Sequence, residues 1–194
     1  MGEAPPLSKM DFVELPYVSP RVAESFQRRR NILIKGFVDR DLAIRFMLVL
    51  KDMEEESRDD PIWVIIDSPG GEVQAGWEIV DSMQLCAAPV HTVCYGEASS
   101  IAAVIFASGK RGQRHMLRHA RLMVHQPWTD VGVGVRQSDL IGKADDLTDT
   151  RNEIEDALSK ASGLPLPEVH RMCEEDYRMG AGEAIRLGFA DNVL

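Results

Sequence analysis

Ser100 stands where an apolar, strand-like run ends and a buried helical run begins, between Gly96-Glu97-Ala98-Ser99 and Ile101-Ala102-Ala103. Beside a serine at a helix amino end lie unpaired backbone N–H groups and the positive end of the helix dipole. Both stabilise negative charge developing on an attacked carbonyl. The junction equally suits Ser99 or Ser100 as a plain helix N-cap, the commoner employment of serine there. His125 follows Leu122-Met123-Val124 and precedes Gln126-Pro127, so it falls at the end of a buried strand beside a chain reversal. An imidazole, with a solution pKa of about 6.5, is the usual base for activating a hydroxyl, although a lone strand-end histidine more often has a structural part. Pro69-Gly70-Gly71 reads as a turn whose backbone N–H groups are unobstructed by side chains, as an oxyanion hole or phosphate cradle requires; double glycine is also ordinary turn chemistry.

The remaining reactive residue types are weaker candidates. His115 and His119 lie among Lys110, Arg111, Arg114, Arg118 and Arg121, a stretch that reads as solvated or subunit-facing surface and that would depress imidazole basicity. His91 and His170 have no adjacent apolar turn. Cys86, Cys94 and Cys173 are too widely spaced to suggest a metal pair or a disulfide framework, so they read as reduced thiols. Cys94, inside an apolar run, reads as a small buried hydrophobe.

The elements that must position Ser100 and His125 alternate along the chain. Residues 31–35 form a short buried strand closed by Gly36, and a helix follows with Asp39 or Asp41 as its cap and Leu42, Phe46, Val49, Leu50 and Met53 at helical spacing. Residues 62–66 repeat the strand, the Pro-Gly-Gly turn closes it, and a helix carries Trp77, Ile79, Val80 and Met83. Residues 90–95 and 122–124 read as strands, and 101–107 as a buried helix start. Strands alternating with helices imply crossover connections and a largely parallel sheet, so the fold class is α/β. From about residue 136 to 163 a long polar helix has Leu140, Ala144, Leu147, Ile154, Leu158 and Ala161 on one narrow stripe. Periodicity alone leaves open whether that stripe lies on the parent domain or is a seam for a partner helix. Residues 1–20, with four prolines among polar residues, read as an arm or loop, and 21–194 as one domain.

Composition narrows the classes further. With 44% hydrophobic and 27% charged residues, the chain is an ordinary globular protein. A net charge of −9 argues against a general role on nucleic-acid phosphates, where Lys and Arg must dominate. Its longest apolar run, 101–107, is far short of the ~18 residues that span a bilayer. Residues 1–10 carry charges and two prolines instead of an apolar signal core, so no membrane partner is expected and the expected location is cytoplasmic.

Taken together, Asp67-Ser68-Pro69-Gly70-Gly71, Gly96-x-Ala98-x-Ser100, Met123-Val124-His125-Gln126-Pro127 and the tail from Ala181-Gly182-Glu183-Ala184 through Gly188 and Asp191 resemble the Clp protease proteolytic subunit, from about residue 15 onward. The resemblance implies a serine endopeptidase with a crotonase-like fold of repeated ββα units. It places the catalytic serine on Ser100 instead of Ser99, the histidine on His125 and the aspartate on Asp176, and the oxyanion donors on the backbone N–H groups of Gly71 and Ile101. No metal or organic cofactor is implied. It further implies a homo-oligomer of heptameric rings, stacked as a tetradecamer through the 136–163 helix as handle, an AAA+ unfoldase ATPase as partner, and unfolded polypeptides or short peptides as substrates. Three departures stand out. Ala102 occupies a place where the family usually has glycine, Glu175 replaces an arginine that pairs across the ring junction, and Ile65 and Leu85 replace aromatic rings of the ATPase-docking pocket. Competing readings are a non-catalytic ring subunit, a crotonase-fold acyl-CoA enzyme lacking its expected carboxylates, and a membrane signal-peptide peptidase for which neither anchor nor lysine base is visible.

Overall fold

Three apolar strands, each followed by a helix, form the frame of the computed structural model, which describes residues 19–194. Strand β1 (Asn31–Val38) leads into helix α2 (Arg40–Glu56), β2 (Ile62–Gly71) into α3 (Val73–Leu85), and β3 (Val90–Ser99) into α4 (Ile101–Ala107). Helix α1 (Pro20–Arg28) precedes them. Apart from Ser19 and Pro20, the arm expected over residues 1–20 lies outside the described residues. Pro20 itself opens α1, a first-turn position where the missing proline N–H costs nothing. Asp39 is the cap of α2, its Oδ1 accepting the Leu42 N–H at 2.8 Å, which settles the choice between Asp39 and Asp41.

The sheet runs β1-β2-β3-β4-β7, all parallel, with β4 at Arg114–Met116 and β7 at Asn192–Val193. One edge of β3 is taken by β2, and its other edge is shared. Thr92–Cys94 pair with β4, while Glu97–Ser99 pair with β5 (Arg121–Val124). Strand β6 (Tyr177–Gly180) then adds to β5 in antiparallel sense. The α/β class expected from the sequence is the class observed. All seven residues of α4 are buried against the sheet, which explains why an uninterrupted apolar run makes this short helix.

Three expectations need correction. Pro69-Gly70-Gly71 is not a turn: β2 continues through it, with Gly70 opposite Phe37 and Gly71 opposite Val38. Two residues of β2, Ser68 and Pro69, stand opposite the single Gly36, a bulge in which proline's missing N–H breaks no ladder bond. Strand β1 likewise passes through Gly36 at φ 76° instead of ending there. Thirdly, the basic stretch around His115 is not surface throughout, since Arg114 is 2% and His115 is 7% exposed. Burial is the first cause that lowers the pKa values of His91 and His115, with His115 and Lys110 adding to it at His91.

Helix α5 (Gln137–Ser162) lies on its own domain over only part of its length. Ile154 and Leu158 are buried against the domain, while Leu140 and Ile141 are 42% and 55% exposed. The carboxyl half lies on the core and the amino half stands clear. Helix α6 (Leu166–Glu174) packs on α5, and α7 (Ala181–Arg186) leads to β7.

Arg114 fastens the far side of the sheet. Its Nη2 donates to Asp191 Oδ1 at 2.7 Å, its Nε to Oδ2 at 2.9 Å, and its Nη1 to the Ala161 carbonyl at 2.9 Å. Burial pushes the Asp191 carboxyl up, but the Arg114 hydrogen bonds outweigh it and hold the pKa below the ordinary range. That stability is present above the ordinary aspartate pKa and is lost as pH falls through the lowered value. Arg114→Met leaves Asp191 without its counter-ion and should destabilise the fold by about 3–5 kcal/mol, measured by urea unfolding. A loss under about 1 kcal/mol would show the pair to be dispensable.

Candidate active site

The shared edge of β3 brings the site together. Ser99 pairs with Met123 of β5, and the next N–H, that of Ser100, donates to the Met123 carbonyl at 2.9 Å. His125, two residues on from Met123, is thereby carried alongside Ser100. His125 Nε2 and Ser100 Oγ are 2.8 Å apart, the geometry of a nucleophile on its base. The imidazole side chain is 15% exposed, reachable yet shielded.

The choice between the adjacent serines has a structural answer. Ser100 occupies the N-cap position of α4 but makes no capping hydrogen bond with its side chain. Its backbone lies at φ 59°, ψ −132°, a region sparsely populated outside glycine, which aims Oγ away from the helix and toward His125. Ser99 is 4% exposed and its hydroxyl donates to Glu97 Oε2 at 3.3 Å. Only Ser100 meets the histidine.

Strand β2 closes the other side. A Cβ on Gly70, at φ 99°, would lie 2.6 Å from Ser100 Cβ and 2.8 Å from the Ser99 carbonyl oxygen, so only glycine fits there. Ser68, fully buried, holds this approach: its hydroxyl donates to the Gly36 carbonyl at 2.6 Å and accepts the Gly70 N–H at 3.0 Å. Sequence reasoning missed Ser68 and Gly70 as supports of the nucleophile. The available signal was a serine before Pro-Gly-Gly, filling the gap that a strand bulge opens. Of the two expected oxyanion positions, Ile101 directly follows Ser100 at the start of α4, and Gly71 follows Gly70 at the end of β2, close against the Val38 backbone. The Ala102 methyl group is fully buried within α4 and leaves the helix regular.

Asp176 is placed less tightly. The antiparallel pairing of Val124 with Tyr177 continues by one step to set residue 176 opposite residue 125. His125 Nδ1 and Asp176 Oδ1 are 3.9 Å apart, about 1 Å beyond a hydrogen bond, and the Asp176 side chain is 68% exposed. Ser100 and His125 are thus joined, with Asp176 beside them and not yet bonded. The Gln126 N–H donates to the Cys173 carbonyl at 3.0 Å, tying the segment after His125 to the end of α6.

Other nucleophiles are disfavoured. Burial pushes the Cys94 and Cys173 thiols up to about 12, so neither supplies a thiolate at neutral pH. Among the described residues no group of three or more His, Cys, Asp or Glu could hold a metal ion.

A largely parallel α/β sheet carrying a serine-histidine pair at a strand-to-helix junction has the arrangement of a serine hydrolase. The family model described as Clp protease matches residues 18–194. The chain is 36% identical over 165 residues to the ATP-dependent Clp protease proteolytic subunit of Streptococcus mutans, covering 85% of this chain and 84% of the relative. It is 36% identical over 167 residues to the protein so named from Streptococcus suis and 34% over 165 residues to that from Streptococcus pyogenes, with the same coverage of each chain. The chain belongs to the Clp protease family. It is a serine peptidase, and the non-catalytic ring-subunit and acyl-CoA readings are not favoured.

Gly70→Ala should abolish peptide hydrolysis while circular dichroism stays near that of the parent protein, because the added methyl group meets Ser100 first. Undiminished turnover by Gly70→Ala would show that the close approach of β2 is not needed.

Proposed function

We propose that this chain is an endopeptidase subunit that hydrolyses unfolded polypeptides or short peptides inside an oligomeric chamber, with Ser100 as nucleophile. The 2.8 Å contact between Ser100 Oγ and His125 Nε2 carries the proposal. Ser100 Oγ attacks the peptide carbonyl as Nε2 takes its proton, and the oxyanion forms toward the backbone N–H groups of Gly71 and Ile101. His125 returns the proton to the leaving amine, and water then repeats the sequence on the acyl-enzyme. For Nε2 to accept, the imidazole carries its hydrogen on Nδ1, the nitrogen facing Asp176. Asp176 closes the remaining distance when the active assembly forms and holds that tautomer. No step calls on a cofactor.

The relatives are named as proteolytic subunits of an ATP-dependent protease, which supports an assembled enzyme working with an ATPase. We read the assembly as a homo-oligomer of heptameric rings, paired as a tetradecamer through the exposed amino half of α5. At the expected ring junction Glu175 is engaged by Arg171 at 3.5 Å, so an acidic residue paired within its own chain stands where the family has an arginine that pairs across the junction. A cytoplasmic location agrees with the sequence, and among the described residues no helix is long and apolar enough to cross a membrane.

Ser100→Ala and His125→Ala should each lower peptide turnover by ~10⁶ with assembly unchanged, whereas Ser99→Ala should be mild. A fluorophosphonate probe, localised by mass spectrometry, should mark Ser100. Near-normal hydrolysis by Ser100→Ala sinks the mechanism, and loss in Ser99→Ala alone moves the nucleophile by one residue.

The proposed partner is an AAA+ unfoldase ring. Ile65 is half-buried on β2 and Leu85 is 78% exposed at the end of α3, so both aromatic rings expected at the docking pocket are replaced by aliphatic groups. Each lost ring removes about 0.5–1.5 kcal/mol of contact, and multivalent docking compounds the loss. Weak or absent activation by an ATPase whose loops suit aromatic pockets is the expected outcome, with Ile65→Tyr and Leu85→Phe together restoring binding. A stable complex of the unmodified protein with such an ATPase, degrading a folded substrate, would refute this and leave Ser100 and His125 untouched.

A further inference from the structure

A charge cluster joins α5 to α6 at a distance from the serine. Glu155 of α5 is buried, its side chain 4% exposed, and its carboxylate lies against His170 of α6: Nδ1 is 2.9 Å from Oε2 and 3.1 Å from Oε1. The other ring nitrogen, Nε2, is 3.3 Å from Glu174 Oε1, one turn further along α6. A carboxylate only accepts hydrogen bonds, so the Glu155 contact is made by an N–H on Nδ1, whereas the Glu174 proximity lies within α6 itself and lacks hydrogen-bond geometry. The other charged and titratable groups at this joint are few. Arg151 reaches Glu155 at 3.8 Å from the α5 side, Arg171 is occupied by Glu175, and Cys173 remains a neutral thiol.

Two connections tie this joint to the site. The Cys173 carbonyl, in the last turn of α6, accepts the N–H of Gln126, the residue after His125. Asp176 follows that turn two residues after Glu174, with its backbone turned to φ 49°. One turn of helix therefore holds the chain beside the base and launches the carboxylate that faces it. Its seating on α5 sets their separation.

We propose that His170 is a positioning residue for peptide hydrolysis: donating from Nδ1 to the buried Glu155, it seats the last turn of α6 on α5 and so holds Asp176 beside His125. The inference rests on the Ser100, His125 and Asp176 assignment above.

The test follows kcat and KM separately for a short fluorogenic peptide, using the assembled full-length protein and four variants. His170→Ala and His170→Phe should each lower kcat about 10-fold with KM unchanged, because a small misplacement near reacting groups costs rate before binding. The rate of fluorophosphonate labelling should fall in parallel. His170→Asn keeps an N–H donor at the position of Nδ1 and should hold kcat near the parent value. His170→Phe keeps the bulk of the ring, so it carries the test even if His170→Ala folds poorly. Parent-like kcat in folded His170→Ala and His170→Phe overturns the inference, as does an equal loss in His170→Asn. Asp176→Ala separates the two levels of argument. If it is inactive while the His170 variants behave as the parent, only this inference fails; if it retains full kcat, the role given to Asp176 has failed and this inference falls with it.

Discussion

The hydrogen-bonded seam between the end of β3 and strand β5 is the constraint from which the site follows. Were β3 paired with one strand along its whole edge, Ser100 and His125 would have no common address. Because Thr92–Cys94 are given to β4 and Glu97–Ser99 to β5, the end of β5 arrives beside the nucleophile. The Ser100 N–H bond to Met123 then fixes the depth of that arrival, and the unusual backbone angles of Ser100 turn its hydroxyl to meet the imidazole. Backbone angles of this kind cost of order 1–3 kcal/mol and persist only where surrounding structure over-determines them. Here the seam on one side and Gly70 on the other supply that determination.

Much of the site was legible from residue type and junction. A serine between an apolar strand and a wholly apolar helix, and a histidine after a short apolar strand, pointed to the two groups that meet. Asp176 was reached only through family resemblance, because its place depends on the antiparallel register of β5 and β6, and four polar-flanked residues such as Tyr177–Gly180 carry little periodicity. The same reason hid α6 and β4, which are short and rich in charge. Pro69-Gly70-Gly71 misled because its residues are those of turns, yet pairing with β1 overrode local preference and converted the signal into a bulge. Arg114 and His115 misled for a different reason. Charged residues read as solvated unless a partner is known, and the partner of Arg114 lies 77 residues away.

The two sides of the proposed site differ in how firmly the chain holds them. Ser100 and Gly70 are set within the buried sheet, supported by Ser68 and by the fully buried α4. His125 and Asp176 lie on the side governed by β5, β6 and the α5–α6 joint, where Asp176 remains largely exposed. In the proposed mechanism the carboxylate therefore rests on a helical joint separate from the sheet that holds Ser100. The exposed amino half of α5 extends that joint outward, so whatever covers it can bear on the site through the same helix.

The separation of Arg114 from Asp191 also has a temporal meaning. During synthesis the β1–α4 frame and Ser100 emerge before Asp191, so Arg114 has no carboxylate partner, and β4 no β7 beside it, until the chain is nearly finished. Long-range pairs of this kind slow folding, since the chain must close before the contact is gained. A chain cut short before Asp191 has a guanidinium with no carboxylate to meet it and a sheet whose β4 edge stays open.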